Sequence, residues 1–424
     1  MRSWMGCAPG GVRSVALCCV LVVSIGATAG AGVRIADASG ATPGSFTSLQ
    51  AAVNAAVSGD VVLVKDGTYD QVLVDGKSLS IVADAGASVV LGASPISGLP
   101  ALTIQGSLGP TRVTVQGIAV SSSAPGSGTD VGLRVGGGAV VWLESVAVDG
   151  FNTGFDLNGA EVIAHACEFY GAPGDPTTQV DGGIAVVAQN ATLSFHGVTA
   201  VGGQGLAAST LANPAGIGGI GVLLDGGTLF CSGSLLGGGA GGDGIDFGGP
   251  CVAGGDGGVA LVLAAHDPHV VVVDTSVDGG VGGAKAGACG AGNDGASTDE
   301  SSGSFSVEAG TARSFHAQSP VRAGQSVTLK FSGEPGDARI LFFAGSFQTL
   351  RAPSFSGALH LGLPMGDLAL PPMPGNGDAF SVVLPALPPG LEGVTIHLQP
   401  AYVDLAGVAY LHAASALVVL DAGL

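Results

Sequence analysis

Glu144, His165, His196 and Asp274 each hold the fifth place of a nine-residue segment that recurs along the chain. The segments are "RVTVQGIAV" from Arg112, "VVWLESVAV" from Val140, "EVIAHACEF" from Glu161, "TLSFHGVTA" from Thr192, "TLFCSGSLL" from Thr228 and "VVVVDTSVD" from Val270. A histidine stacked beside a carboxylate can relay protons or ligate a metal. Those four residues are therefore the candidate catalytic set. Gln116 and Ser232 fill the same place in their own segments and add hydrogen-bonding capacity. Trp142, in the third place, offers an aromatic surface for a sugar. Two plainer readings stand beside these and are favoured: a solvated polar ladder, and a tryptophan covered by a neighbouring loop.

A second candidate lies in "GGGAGGDGIDFGGPCVAGGDGG", residues 237–258. Its letters match a dinucleotide fingerprint, but no helix follows and no βαβ unit contains it, which excludes that reading. "GGDGID" at 241–246 matches the opening of a calcium-binding nonapeptide, without the apolar position or a tandem copy. Calcium takes six or more oxygens, so Asp243, Asp246 and Asp256 are its candidate ligands. The favoured alternative is a stapled loop in which glycine permits bends and positive φ. Cys251 sits in this insert and Cys289 in the next, and the pair is expected to form a disulfide tethering two flaps that have little else to order them. Cys167 and Cys231 fall in different inward columns, ~10 Å apart by rung spacing, and are expected to be free core residues.

What places these side chains is the repeat itself. The second and fourth positions are apolar in every segment, as one buried strand face requires. The sixth is small, as a bend demands. A shorter apolar strand precedes most copies: "VGLRV", "GFDL", "IAVVA", "IGVLL" and "VALVL". Each unit is thus strand, turn, strand, bend, strand, and can bury its inner face only by stacking on its neighbours. The long inserts all follow the third strand. "FTSLQAAVNAAVSGD" reads as a helix with a Thr47–Gln50 capping box and Leu49, Ala52, Val53 and Ala56 on one face, stopped by Gly59, a lid for the open end.

The stretch "SLQAAVNAAVSGDVVLVKDGTYDQVLVDGKSLSIV" with the "VTVQGIAV"-type coils resembles the right-handed parallel β-helix proteins of the pectin lyase-like fold. The resemblance implies an outward strand face beside a loop wall as the active site of any enzyme. It also implies a basic residue and calcium-binding carboxylates for a lyase, or clustered aspartates for a hydrolase. Between residues 61 and 300 the basic residues are Lys65, Lys77, Arg112, Arg134 and Lys285, and none shares the polar column. Glu144 and Asp274 are four rungs apart, too far for a two-carboxylate glycosidase.

After about Ser301 short strands such as "SVTLKFSG", "ARILFFAG" and "ALVVLD" alternate with Pro- and Gly-rich turns, the pattern of a β-sandwich. Before residue 30, Arg2 and Arg13, the apolar run Val15–Ile25 and Ala27-Thr28-Ala29 read as a cleavable export signal. The expected organisation is all-β: a signal peptide at 1–29, a right-handed parallel β-helix with an N-terminal capping helix at 30–300, and a sandwich at 301–424. The formal net charge of −19 disfavours nucleic acid as a partner, and no later apolar run spans a membrane. The leading expectation is a secreted, non-enzymatic structural or ligand-binding scaffold whose partners are extracellular polysaccharide or cell-surface components. No cofactor is required, with Ca2+ as the one candidate. The alternative is a polysaccharide lyase or glycoside hydrolase working on the outward face.

Overall fold

The computed structural model describes residues 31–93, 99–107, 111–122, 131–176, 180–211, 213–351, 355–388 and 390–424. The expected leader lies outside the described residues. No helix among them is long and apolar enough to cross a membrane. The chain divides into two units, Val33–Ser314 and a second built mainly from Phe315–Leu424.

In the first unit, strands come in threes. Val131–Gly136, Val140–Glu144 and Ala147–Phe151 make one winding, and each pairs in parallel with its counterpart in the next: Thr153–Asn158, Glu161–His165 and Glu168–Gly171. The first and second strands of successive windings merge into one 16-stranded sheet, because Ile184–His196 and Val222–Ser232 run unbroken round the corner between them. The third strands form a separate 8-stranded sheet. These are the three faces of a parallel β-helix. Its interior is stacked side chains: Val115, Leu143, Ala164, Phe195, Cys231 and Val272 occupy one register column, and none is more than 1% exposed.

That column corrects the last repeat by one residue. The strand His269–Val273 aligns His269 with Thr228, so Val272, not Val273, enters the core. Four consecutive valines read alike in either phase of a period-two pattern, so hydrophobicity does not fix the slip. The bend does. The residue after the fifth position has positive φ in each winding: 68° at Gly117, 53° at Ser145, 50° at Ala166, 62° at Gly197, 55° at Gly233 and 45° at Asp274. Asp274 is therefore the bend residue and does not belong to the polar column. A left-handed conformation costs an ordinary L-residue roughly 1–2 kcal/mol. Ala166→Gly should accordingly be neutral or stabilising by up to about 1 kcal/mol, the relief being partly offset by glycine's greater unfolded freedom. Ala164→Gly, two residues earlier in the core, should destabilise. Paired denaturation curves check both.

The lid is the seven-residue helix Leu49–Ala55, with Leu49, Ala52 and Val53 buried. Its cap is Ser48, whose hydroxyl accepts from Ala51 N at 3.4 Å, and not Thr47. Gln50 does not close a capping box. Its amide instead brackets the Leu73 backbone, donating to O at 3.0 Å and accepting from N at 2.7 Å, which ties the helix to the first winding. Lys77 Nζ closes the other end, donating to Val53 O, Asn54 O and Ala56 O. The helix stops at Ala55, ahead of Gly59.

The final strands, Thr298–Glu300 and Ser304–Glu308, pair in parallel with Leu261–Leu263 and His269–Val273. The parallel pairing therefore continues past the compositional boundary at 301, to Glu308. In the second unit, Ser326–Ser332 and Gly377–Val383 pair antiparallel on one side. Ala338–Ala344, Gly393–Val403 and Ser415–Leu420 do so on the other. Phe315, Leu329 and Phe331 from the first sheet share one core with Leu341, Phe343, Ile396 and Leu417 from the second, the arrangement of a sandwich.

The glycine-rich inserts are ordered by hydrogen bonds of period three. Each insert leaves the third strand along one extended segment and returns along another. Gly238 N donates to Asp278 O in the next outgoing segment, and Gly239 N donates to Gly219 O in the returning layer. Ala240 faces out. Gly241 N and Gly242 N then repeat the pattern, to Val281 O and Gly216 O. A three-residue repeat whose bonds go to neighbouring segments and not within its own matches the pattern of packed polyproline II segments. One chain of bonds zigzags between the layers through Gly203, Gly219, Gly239, Gly258, Gly280 and Gly295, each N–H reaching the preceding carbonyl at 2.7–2.8 Å. A Cβ on Gly239 would lie 1.9 Å from Gly203 O. Glycine is needed here for close backbone approach, not for positive φ, which within 237–258 occurs only at Gly248. The inserts are thus a two-layer lattice and not loose flaps. At its last edge the slot filled by Gly182, Gly218 and Gly257 holds Asp294, whose Oδ1 accepts from Gly282 N at 2.9 Å and occupies an edge that would otherwise stay unpaired.

Candidate functional site

Register places Gln116, Glu144, His165, His196 and Ser232 on successive rungs of the second face. Gln116 Nε2 donates to Glu144 Oε2 at 3.0 Å, and His165 Nδ1 lies 3.4 Å from Glu144 Oε1. His196 Nδ1 lies 2.9 Å from Ser232 Oγ, with its ring 5.9 Å from that of Phe230. The column exists, but it is neither solvated nor open: none of the five is more than 6% exposed. A buried carboxylate needs partners, and the amide and imidazole provide them. Trp142 is fully buried as well.

Asp274 stands apart at the bend, where its Oδ2 accepts from Ala312 N at 3.0 Å. The segment after Ser304–Glu308 folds back there, with Ala312 Cβ 3.1 Å from where a Cβ on Gly233 would sit. The four candidate catalytic residues therefore do not line one accessible groove. Beside them, burial pushes the Cys167 thiol up to about 12, with the Glu144 charge adding to the effect. Cys167 and Cys231 are both buried thiols outside any disulfide. A thiol that high is almost wholly protonated at neutral pH. Native protein should take up no alkylating reagent at either cysteine, and unfolded protein should react at both; mass spectrometry reads the difference.

Asp243, Asp246 and Asp256 do not converge. Asp243 faces out of the outgoing layer and accepts from Ala284 N at 2.8 Å. Asp256 lies in the returning layer and accepts from Asn293 N at 2.7 Å and Asn293 Nδ2 at 3.0 Å. Asp246 sits in the short hairpin of Ile245–Asp246 with Cys251–Val252 and accepts from Gly248 N at 2.9 Å. Each carboxylate serves a backbone donor, and the oxygen cage that calcium requires does not assemble from them. Cys251 and Cys289 are joined by a disulfide, with Cα atoms 5.8 Å apart, fastening this hairpin to the insert of the following winding.

The exposed polar ladder lies on the first face. Asp75, Gln105, Gly136, Asn158, Gln189 and Asp225 follow one another in register. Asn158 Nδ2 donates to Gln189 Oε1 at 3.4 Å, and His266 Nδ1 lies 2.7 Å from Asp225 Oδ1. Two residues earlier on the same strands run Arg134, Asp156, Val187, Leu223 and Val262, with Arg134 Nε donating to Asp156 Oδ2 at 2.8 Å. Asn190 and His266, at the corner, have φ of 48° and 63°. A signal for this ladder was present in the chain. Asn158, Gln189 and Asp225 each directly follow one of the short apolar runs "GFDL", "IAVVA" and "IGVLL".

No protein-family model matches the chain, and neither does any curated protein. Among solved structures it is similar to pectin methylesterase PemA from Erwinia chrysanthemi, at 14% identity and a TM-score of 0.40, over 61% of this chain and 82% of that one. It is also similar to pectate lyase Pel9A, at 15% identity and a TM-score of 0.32, over 61% and 79%.

Proposed function

We propose that the protein is an extracellular, non-catalytic scaffold that binds glycan. The observation that carries this reading is the state of the second-face ladder. Glu144, His165 and His196 are buried, with Glu144 held by Gln116 and facing His165 and with His196 against Ser232, which supports a structural role for them over a catalytic one. General acid–base chemistry needs a group within hydrogen-bond reach of the substrate. The disulfide and the basic-then-apolar leader support export. Saccharide-cleavage assays on neutral and uronate polysaccharides, with and without calcium, test the reading. No turnover is expected. Cleavage that is lost in Glu144→Gln or His165→Asn would establish an enzyme instead.

A further inference from the structure

We propose that the chain cuts itself at the Asp267–Pro268 bond, leaving a two-chain molecule; this does not depend on the binding role proposed above. Three observations converge on that bond. It is strained: His266 and Asp267 have φ of 63° and 52°, at the corner between Leu261–Leu263 and His269–Val273. Two other windings turn the same corner at positive φ with Gly137–Gly138 and Gly226–Gly227. Glycine accepts that region and L-residues resist it. A residue before proline is further confined to extended backbone, so Asp267 carries both penalties. It is open on one side and held on the other: Asp267 is exposed, whereas Pro268 is buried and its carbonyl accepts from Ser304 N at 2.9 Å. It has an acid beside it: His266, next in the chain, is 66% exposed and oriented by Asp225 Oδ1, 2.7 Å from its Nδ1.

An aspartate carboxylate can attack an acyl carbon. Here an Asp267 side-chain oxygen adds to the Asp267 backbone carbonyl carbon. The C–N bond to Pro268 breaks, and the nitrogen takes a proton from His266 and departs as a secondary amine. The cyclic anhydride left on Asp267 adds water and opens to two carboxyls, so water is the net co-reactant and His266 regains its proton from solvent. Breaking the bond releases the backbone constraint that a strained residue stores. The cut would not separate the pieces. Cys251 lies before it and Cys289 after it, joined by the disulfide. His269–Val273 also stays paired with the strand Val222–Ser232 of the other piece.

The experiment incubates the purified full chain at about pH 5 and about pH 7.5, since the departing nitrogen needs a proton. Gels run with and without reductant, intact mass and N-terminal sequencing follow the product. The expected result is two pieces only under reduction, a joined mass heavier by one water, and a new N-terminus at Pro268, formed faster at the lower pH. Asp267→Asn should abolish the cut and His266→Gln slow it at least tenfold. Both side chains are exposed, so the variants should fold, and circular dichroism checks this. The chain's other Asp–Pro bond, Asp175–Pro176, has neither positive φ at the aspartate nor a flanking histidine and is the internal control. No new N-terminus at Pro268 overturns the proposal. So does equal cutting at Pro176, which would be ordinary acid lability, or equal cutting of Asp267→Asn, which would be a contaminating protease. An unchanged rate in His266→Gln overturns the histidine's part.

Discussion

Replacing Gly239 with alanine is expected to destabilise the first unit by about 3–5 kcal/mol. The added Cβ would lie 1.9 Å from Gly203 O, and both partners are backbone, so no side-chain rotation relieves the clash. Forcing the segments apart combines an overpacking cost of ~1–3 kcal/mol with the loss of buried backbone bonds, worth ~1–3 kcal/mol each when left unmade. The damage should spread, because Gly239 both donates to Gly219 O and accepts from Gly258 N in the zigzag. Urea denaturation measures the loss, and hydrogen exchange at Gly219, Gly258 and Gly280 maps its extent. Gly249→Ala is the matched control, since a Cβ there meets nothing within 4 Å. If both substitutions leave stability unchanged, the lattice does not hold the inserts.

The second large effect is acid lability of the sandwich unit, centred on His360. This side chain is fully buried, with Nδ1 3.2 Å from Thr349 Oγ1. Burial, reinforced by the Arg351 charge, brings its pKa down from 6.5 to about 3. The depressed value means that below pH 6.5 the unfolded chain binds a proton the folded unit refuses. The histidine's contribution is thus whole above pH 6.5 and shrinks as pH falls toward about 3. The slope approaches 1.4 kcal/mol per pH unit, or about 2–3 kcal/mol by pH 4.5. Exchange protection of the strand Gly393–Val403 should weaken over that window in wild type. It should weaken measurably less in His360→Gln, which keeps a polar side chain but has no proton to gain. Identical pH profiles for the two proteins would remove His360 as the cause.

Much of the architecture was legible because it depends on periodicity. Two apolar columns at positions two and four, a small residue at the bend and inserts at one corner define a stacked coil, and five of the six windings fall in the register so derived. The sixth slipped because Val270 to Val273 carry no phase. Ser48 displaced Thr47 as helix cap because the two hydroxyls are adjacent and equally suited to the role.

The site was less legible. Alternation says that Glu144, His165 and His196 point away from the core, and they do. It does not say how exposed that face is, and none of the three is more than 6% exposed. The glycine stretch posed the same difficulty. Its pairs of glycines recur at every third place in the sequence, but one strand's composition does not reveal that neighbouring backbones will press against it.

Local pattern thus determined the winding, the lid, the sandwich strands and which cysteines face inward, since those follow from the alternation of side chains along each strand. Tertiary structure alone decided which outward face stays open, that Asp243, Asp246 and Asp256 are kept apart, and that glycine builds a lattice where flexibility was expected. The physical reason is common to all three. Exposure and backbone-to-backbone approach depend on segments tens of residues away, and a residue's type does not encode the distance to them.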